Sequence, residues 1–287
     1  MVYLKAAIQI TLLLTSFHTL WAKILPSPSD LNIPARSSTS ITGSKLIEEL
    51  LCKPIAKREH IILEQLKFGN VPDFLRVLKP IKVNFEESQN ANTGKGEMIV
   101  FVMPDYLAVG SDEDFVRVPL NLTSAIELTR NWNFVLPTTK IVDLIYAQAD
   151  CKIPPHPLKP GPEMSSPGYL QDHNHKVDQD TPTSASKESL KAGHKKDIVI
   201  SNRLLEKKNR IAIYGWHKPS GKPIQPLSIV HRSDYADYSH GIRLVYNKVW
   251  FKNKWIPIKH ILKNKSLAST LSREGPLSIE KSLSNCN

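Results

Sequence analysis

Four of the ten histidines, His194, His217, His231 and His240, fall within residues 194–240. Imidazole is the side chain best suited to proton transfer near neutral pH and to metal ligation. Around these four stand Asp197, Tyr214, Trp216, Asp234, Tyr235, Asp237, Tyr238 and Ser239, with Arg243 just beyond. A carboxylate beside an imidazole orients it and raises its basicity. The expected roles are His231 or His240 as general base or metal ligand, Asp237 as orienting carboxylate, and Arg243 as anion or oxyanion stabiliser.

The segment 237–243 is the densest part. Gly241 would let the chain turn His240 out of its strand toward a cleft. Arg243, on the face opposite Ile242, would pair with Asp237 or hold an anionic ligand. His194 and His217 are expected as ligands of a divalent metal such as zinc, a site that separate strand ends can build without a short motif. A non-catalytic alternative uses the same region differently. Tyr214, Trp216, Tyr235 and Tyr238 would then line an aromatic ligand groove whose loops the histidines brace. The plainest alternative is that each histidine makes a local hydrogen bond at a turn.

Two resemblances attach to these residues. The run Ser239-His240-Gly241-Ile242-Arg243-Leu244 resembles the Ser-His-Gly-Cys-Val-Arg-Leu signature of L,D-transpeptidases, which remodel bacterial peptidoglycan, and His231 would stand for that family's upstream histidine. Ile242 follows Gly241 where that family has its nucleophilic cysteine, so the resemblance implies no thiol mechanism. Residues 192–199 (AGHKKDIV), 213–227 (IYGWHKPSGKPIQPL) and 235–245 (YADYSHGIRLV) resemble blocks of a group of uncharacterised secreted proteins of bacterial type. Residues 104–110 and 136–149 fit the same group. This implies a coherent fold over most of the chain after residue 60 and assigns no catalytic residue.

The elements that must position these side chains predict an α+β protein: an N-terminal helix-and-hairpin module followed by a mainly antiparallel β module with a C-terminal helix. Apolar residues at three- and four-residue steps predict helix over 45–68, interrupted at Pro54. Segments 98–109 and 115–120 read as a hairpin about an acidic turn. Helices are expected over 124–131, capped by Asn121 or Thr123, and over 140–149, capped by Thr138 or Thr139. Strands are expected over 197–201, 210–217, 223–229, 241–246, 249–251 and 255–258, then a helix over 260–271. Alternation in 210–217 places Ile211, Ile213 and Gly215 on one face and Ala212, Tyr214 and Trp216 on the other. The expected segmentation is a signal peptide at 1–22, a disordered leader at 23–44, the α+β module at 45–150, a proline-rich linker at 151–189, the β-rich module at 190–272 and a tail at 273–287. In the linker, His173 and His175 with Asp172 and Asp178 read as exposed loop residues, with a metal site as the alternative.

Composition bounds the partners. The chain has 287 residues, 41% hydrophobic and 23% charged, which excludes a fully disordered chain. Its net charge of +11 suits anionic surfaces such as acidic polysaccharide, lipid headgroups or nucleic acid. The lysines are scattered and no nucleic-acid-binding signature accompanies them, so a solvated basic surface is the simpler reading. Lys5, the apolar stretch 6–17 and Ala22 read as a secretory signal, placing the chain outside the cytoplasm; no later segment is apolar enough to span a membrane. In an oxidising compartment Cys52 and Cys151 are the expected pair, with Cys286 peripheral. There is no C-x-x-C, G-x-S-x-G, P-loop, G-x-G-x-x-G or H-E-x-x-H. The sequons at Asn121 and Asn264 matter only in a eukaryotic host. These features predict an exported hydrolase or transferase acting on an extracellular polymer, cell-wall peptide or glycan.

Overall fold

Pro54 divides the first helical pattern, as its missing N–H requires: α1 (Gly43–Leu50) ends before it and α2 (Ile55–Lys67) begins after it. The computed structural model describes residues 24–86 and 95–284; the expected signal peptide and Cys286 lie outside them. Strand β1 (Lys79–Glu86) buries Ile81, Val83 and Phe85 and exposes Lys82 and Asn84, the period-two pattern of a sheet with one wet face. It was not anticipated in the sequence. β2 (Lys95–Val102) pairs with it antiparallel, from Lys79 opposite Val102 to Glu86 opposite Lys95. β3 (Ala108–Gly110) and β4 (Phe115–Arg117) form a small hairpin. α3 (Leu122–Asn131) is capped by the Asn121 side chain, β5 (Phe134–Val135) follows, and α4 (Thr139–Gln148) is capped by Thr138. After β6 (Cys151–Lys152), α5 (Pro167–Asp180) starts with Ser166 as its cap and Pro167 in the first turn.

The second half contributes β7 (Lys191–Ala192), β8 (Lys196–Ile198), β9 (Ile213–His217), β10 (Pro223–Ser228), β11 (His240–Gly241), β12 (Val245–Phe251) and β13 (Lys254–Pro257). Three short helices close the chain: α6 (Ile258–Lys263), α7 (Ala268–Leu271) and α8 (Ile279–Ser284). One sheet runs β1-β2-β12-β13, with β5 also paired to β12; a second runs β10-β9-β8-β11. The strands are mostly antiparallel, with β8–β11 and β6–β7 parallel. The class is therefore α+β with a C-terminal helix. The two halves of the sequence share one sheet, because β12 pairs with β2. The contact continues past the strand, where Met103 and Leu107 donate backbone N–H to the carbonyls of Leu244 and Ile242. One apolar core, including Leu46, Leu66, Phe101, Leu128, Val199 and Leu244, runs through both halves.

Several expectations are corrected here. Residues 24–42 are packed rather than disordered: Leu31 and Ile33 are buried, and Arg36 donates to Asn70 and to the carbonyls of Ser40, Ile41 and Gly110. The stretch 151–189 carries α5, whose inner face buries Leu170, His173 and Val177. On that helix His173 points inward while His175 is exposed, as residues two apart on a helix must diverge, so they form no H-x-H ligand pair. Cys52 is exposed and Cys151 buried, and both are free thiols. Residues 273–284 are not merely a polar tail, since Leu277 and Leu283 are buried. Among the described residues no helix is long and apolar enough to cross a membrane.

Candidate active site

The four histidines occupy three polar neighbourhoods. His217 alone among them lines an open cleft of about 560 Å³, together with Asp143, Tyr146, Lys152, Tyr214 and Arg273. Helix α4 supplies two of these groups. Ile141, Val142, Ile145 and Tyr146 are buried, and Asp143, Tyr146 and Ala147, at three- and four-residue spacing, line the cleft wall. Strand β9 supplies Tyr214 and His217. Strict alternation would put these on opposite faces, but Gly215 and Trp216 both have positive φ, 108° and 57°. Two consecutive residues in this region break the period of two and return His217 to the side of Tyr214.

Asp143 is the hub. His217 Nε2 donates to its Oδ1 at 2.8 Å, and the Tyr214 hydroxyl lies 3.0 and 3.1 Å from its two oxygens. Arg273 Nη2 reaches its Oδ2 at 2.8 Å. Burial, followed by the Asp143 charge and hydrogen bond, pushes the Tyr214 phenol up to about 12, so Tyr214 remains a donor at neutral pH. Tyr146 stacks on the His217 ring with centroids 4.5 Å apart and donates its hydroxyl to the Lys218 carbonyl. Lys152 Nζ lies 5.4 Å above the Tyr146 ring. The His217 side chain is 3% exposed and forms the floor, whereas those of Asp143 and Arg273 are 23% and 55% exposed. A histidine fixed by a carboxylate, with a phenol and a guanidinium on that same carboxylate, can take up and return a proton while the cations hold an anionic group.

The second neighbourhood holds most of the anticipated catalytic set. His231 stacks on Tyr235 at 4.4 Å, and the His240 ring lies 6.1 Å from His231 and 5.6 Å from Tyr235. Tyr235 donates to Asp237 Oδ2 at 2.8 Å, and the Ser239 amide and hydroxyl donate to Oδ1 at 2.8 and 2.5 Å. Burial pushes Asp237 up, but the His240 charge and the Ser239 bonds outweigh it and hold the carboxyl below its usual range. His240 is fully buried and neither ring nitrogen has a hydrogen-bond partner. Burial lowers it to about 4. Gly241 does not turn His240 outward: a Cβ there would lie 2.5 Å from the Tyr106 ring and 2.7 Å from Lys195 Cβ, so the glycine permits close packing instead. Trp216 is buried beneath Lys196, whose Nζ sits 4.8 Å from the indole.

The third neighbourhood is interior. His194 Nε2 donates to Asp105 Oδ1 at 3.1 Å, while Arg117 grips Asp105 Oδ2 through Nε and Nη2 at 3.0 and 2.8 Å. Arg117 also reaches Asn174 and Asp178. Burial drives His194 down to about 4, and Asp105 is held ionised by the guanidinium. Arg243 is likewise interior. Its fully buried guanidinium donates to the carbonyls of Met103 and Lys191 and lies 4.1 Å over the Tyr106 ring. It makes no bond to Asp237 and faces no open cleft.

His194 and His217 are thus apart, and among the described residues no group of three or more His, Cys, Asp or Glu side chains is placed to hold a metal ion. The four aromatics anticipated for a ligand groove also separate. Tyr214 lines the His217 cleft, and Tyr238 lines a different, largely apolar groove of about 450 Å³ with Asp237. Sequence reasoning missed Asp143, Tyr146 and Arg273. Asp143, a lone carboxylate among the apolar residues of its helix, was available as a signal; Tyr146 reads as a core or interface aromatic and is buried, and nothing local distinguishes Arg273. No family model, curated protein or solved structure matches the chain.

Proposed function

We propose that this chain is an extracytoplasmic hydrolase or transferase that uses His217, fixed by Asp143, as an acid–base group on an anionic extracellular polymer, cell-wall peptide or glycan. The observation that carries the reading is the convergence of His217, Tyr214 and Arg273 on the Asp143 carboxylate at one open cleft. Asp143 orients the ring and stabilises its imidazolium when it accepts a proton from water or an acceptor hydroxyl. Lys152 and Arg273 provide positive charge for a carboxylate or phosphate of the substrate, in keeping with the net charge of +11.

A second reading, a non-catalytic binding protein, is favoured by the stacked Tyr146 and His217 rings and by Tyr214 on the same cleft. Incubation with peptidoglycan and with acidic polysaccharide, followed by assay for new amino, carboxyl or reducing ends, separates the two. Turnover by the wild type, lost in His217→Gln and Asp143→Asn, supports the enzyme. Retention of these polymers without turnover, weakened by Tyr214→Ala, supports the binding protein.

A further inference from the structure

Behind His217 lies a second, narrower crevice, lined by Tyr106, Gly193 and Asp197 and sharing Tyr146 and His217 with the outer cleft. The stacked rings of Tyr146 and His217 therefore partition an outer, cation-rimmed space from an inner one. A Cβ at Gly215 would lie 3.4 Å from Asp197 Oδ2 and 3.5 Å from His217 Cε1. The inner carboxyl and the imidazole consequently adjoin one methyl-sized space that the glycine leaves clear. Asp143, on α4, holds the ring at Nε2, and Asp197, on β8, borders the same gap as the Cε1 edge of the ring. Asp197 is fixed in turn: the Tyr106 hydroxyl donates to its Oδ2 at 2.8 Å, and Arg243 packs over Tyr106.

We propose that Asp197 is a positioning residue of the acid–base site, setting the charge carried by His217 from the inner side, with Tyr106 and Arg243 holding its carboxyl in place. The proposal deepens the reading of His217 as the acid–base group. The charged and titratable groups facing Asp197 are Tyr106 from the segment after β2, Arg243 from the segment before β12, His217 from β9 and Asp143 from α4. Burial pushes Asp197 up to about 6, against the Arg243 charge and the Tyr106 bond that lower it. Its ionisation thus falls in the range where a histidine itself titrates. As Asp197 loses its proton, the new negative charge favours the imidazolium of His217. When His217 is protonated, it favours the Asp197 carboxylate.

The test is the ring titration of His217, followed by NMR on histidine-labelled full-length protein, in the wild type, Asp197→Asn and Tyr106→Phe. Asn keeps an acceptor for the Tyr106 hydroxyl and removes only the charge. The expected result is a fall in the His217 midpoint of about half a unit to one unit in Asp197→Asn. A smaller fall is expected in Tyr106→Phe, where the carboxyl loses a bond that favours its ionised form. An unchanged His217 midpoint in a folded Asp197→Asn variant overturns the proposal. If that variant does not fold, an unchanged midpoint in Tyr106→Phe does the same. The titration needs no substrate, so its outcome is separate from that of the turnover assays. Inactive wild type with a shifted midpoint rejects the enzyme reading and keeps the coupling; turnover dependent on His217 with an unmoved midpoint does the reverse.

Discussion

Tyr214 and His217 stand three residues apart on one strand, yet both donate to the carboxylate of Asp143. A regular strand would send them to opposite faces. The positive φ angles of Gly215 and Trp216 bring them together, and backbone strain of this kind is characteristic of functional sites.

Gly215→Ala is therefore expected to disturb the cleft selectively. At φ 108° a Cβ is strained wherever it is placed, at a cost of about 1–3 kcal/mol. Denaturant unfolding together with the NMR signal of the His217 ring checks this. Wild-type stability and an unmoved ring signal would show that the backbone break does not position His217.

Much of the secondary structure was legible because local chemistry decides it: Pro54 as a break, and Asn121 and Thr138 as caps, each act within one turn. What escaped depends on distant partners. Arg243 reads as a functional cation, but its place is set by the carbonyls of Met103 and Lys191, far away in sequence. His217 reads as a metal ligand at a strand end, whereas its carboxylate partner Asp143 comes from a helix 74 residues earlier. The packing of 24–42 is hidden in the sequence because sparse apolar residues such as Leu31 carry it, and a polar, proline-containing composition masks them.

Acid should destabilise the fold through its buried imidazoles. His194 and His240 have folded-state values near 4, below the ordinary 6.5. The folded state then binds fewer protons than the unfolded chain between these values, so stability present above about pH 6.5 is lost as the pH falls to about 4. The share of one ring is about 2–3 kcal/mol. Unfolding curves at pH 7.5 and 4.5 should show a smaller loss for His240→Leu, a near volume-conserving change that also removes two unpartnered nitrogens. An equal loss in both proteins would contradict this.

Asp197 acts with the opposite sign. Its folded value of about 6 lies above the usual 3.8, so its contribution is complete below about pH 4 and is lost as the pH rises through 6. Asp197→Asn should lack this component, a difference of about 2–3 kcal/mol in pH dependence between pH 4 and 7. Parallel stability curves for the two proteins would count against a buried, proton-holding Asp197.

Breaking the Asp105–Arg117 pair should be the most damaging of these changes. Both side chains are buried and the pair joins the segment after β2 to β4 and α5. Asp105→Asn leaves Arg117 only the partly exposed Asp178 as a counter-charge and is expected to cost about 3–5 kcal/mol. Calorimetry on the purified variant measures this. A melting temperature equal to that of the wild type would mean that solvent reaches the guanidinium.

The claim that the Asp143 cleft, rather than the segment 237–243, is where the chain acts is tested most directly by turnover of peptidoglycan or acidic polysaccharide by two folded variants side by side. His217→Gln should lose about 10²–10⁴-fold in rate, the usual share of a general acid–base group, while His240→Leu keeps wild-type turnover. Full activity in His217→Gln, with activity lost in a folded His240→Leu, would contradict the account.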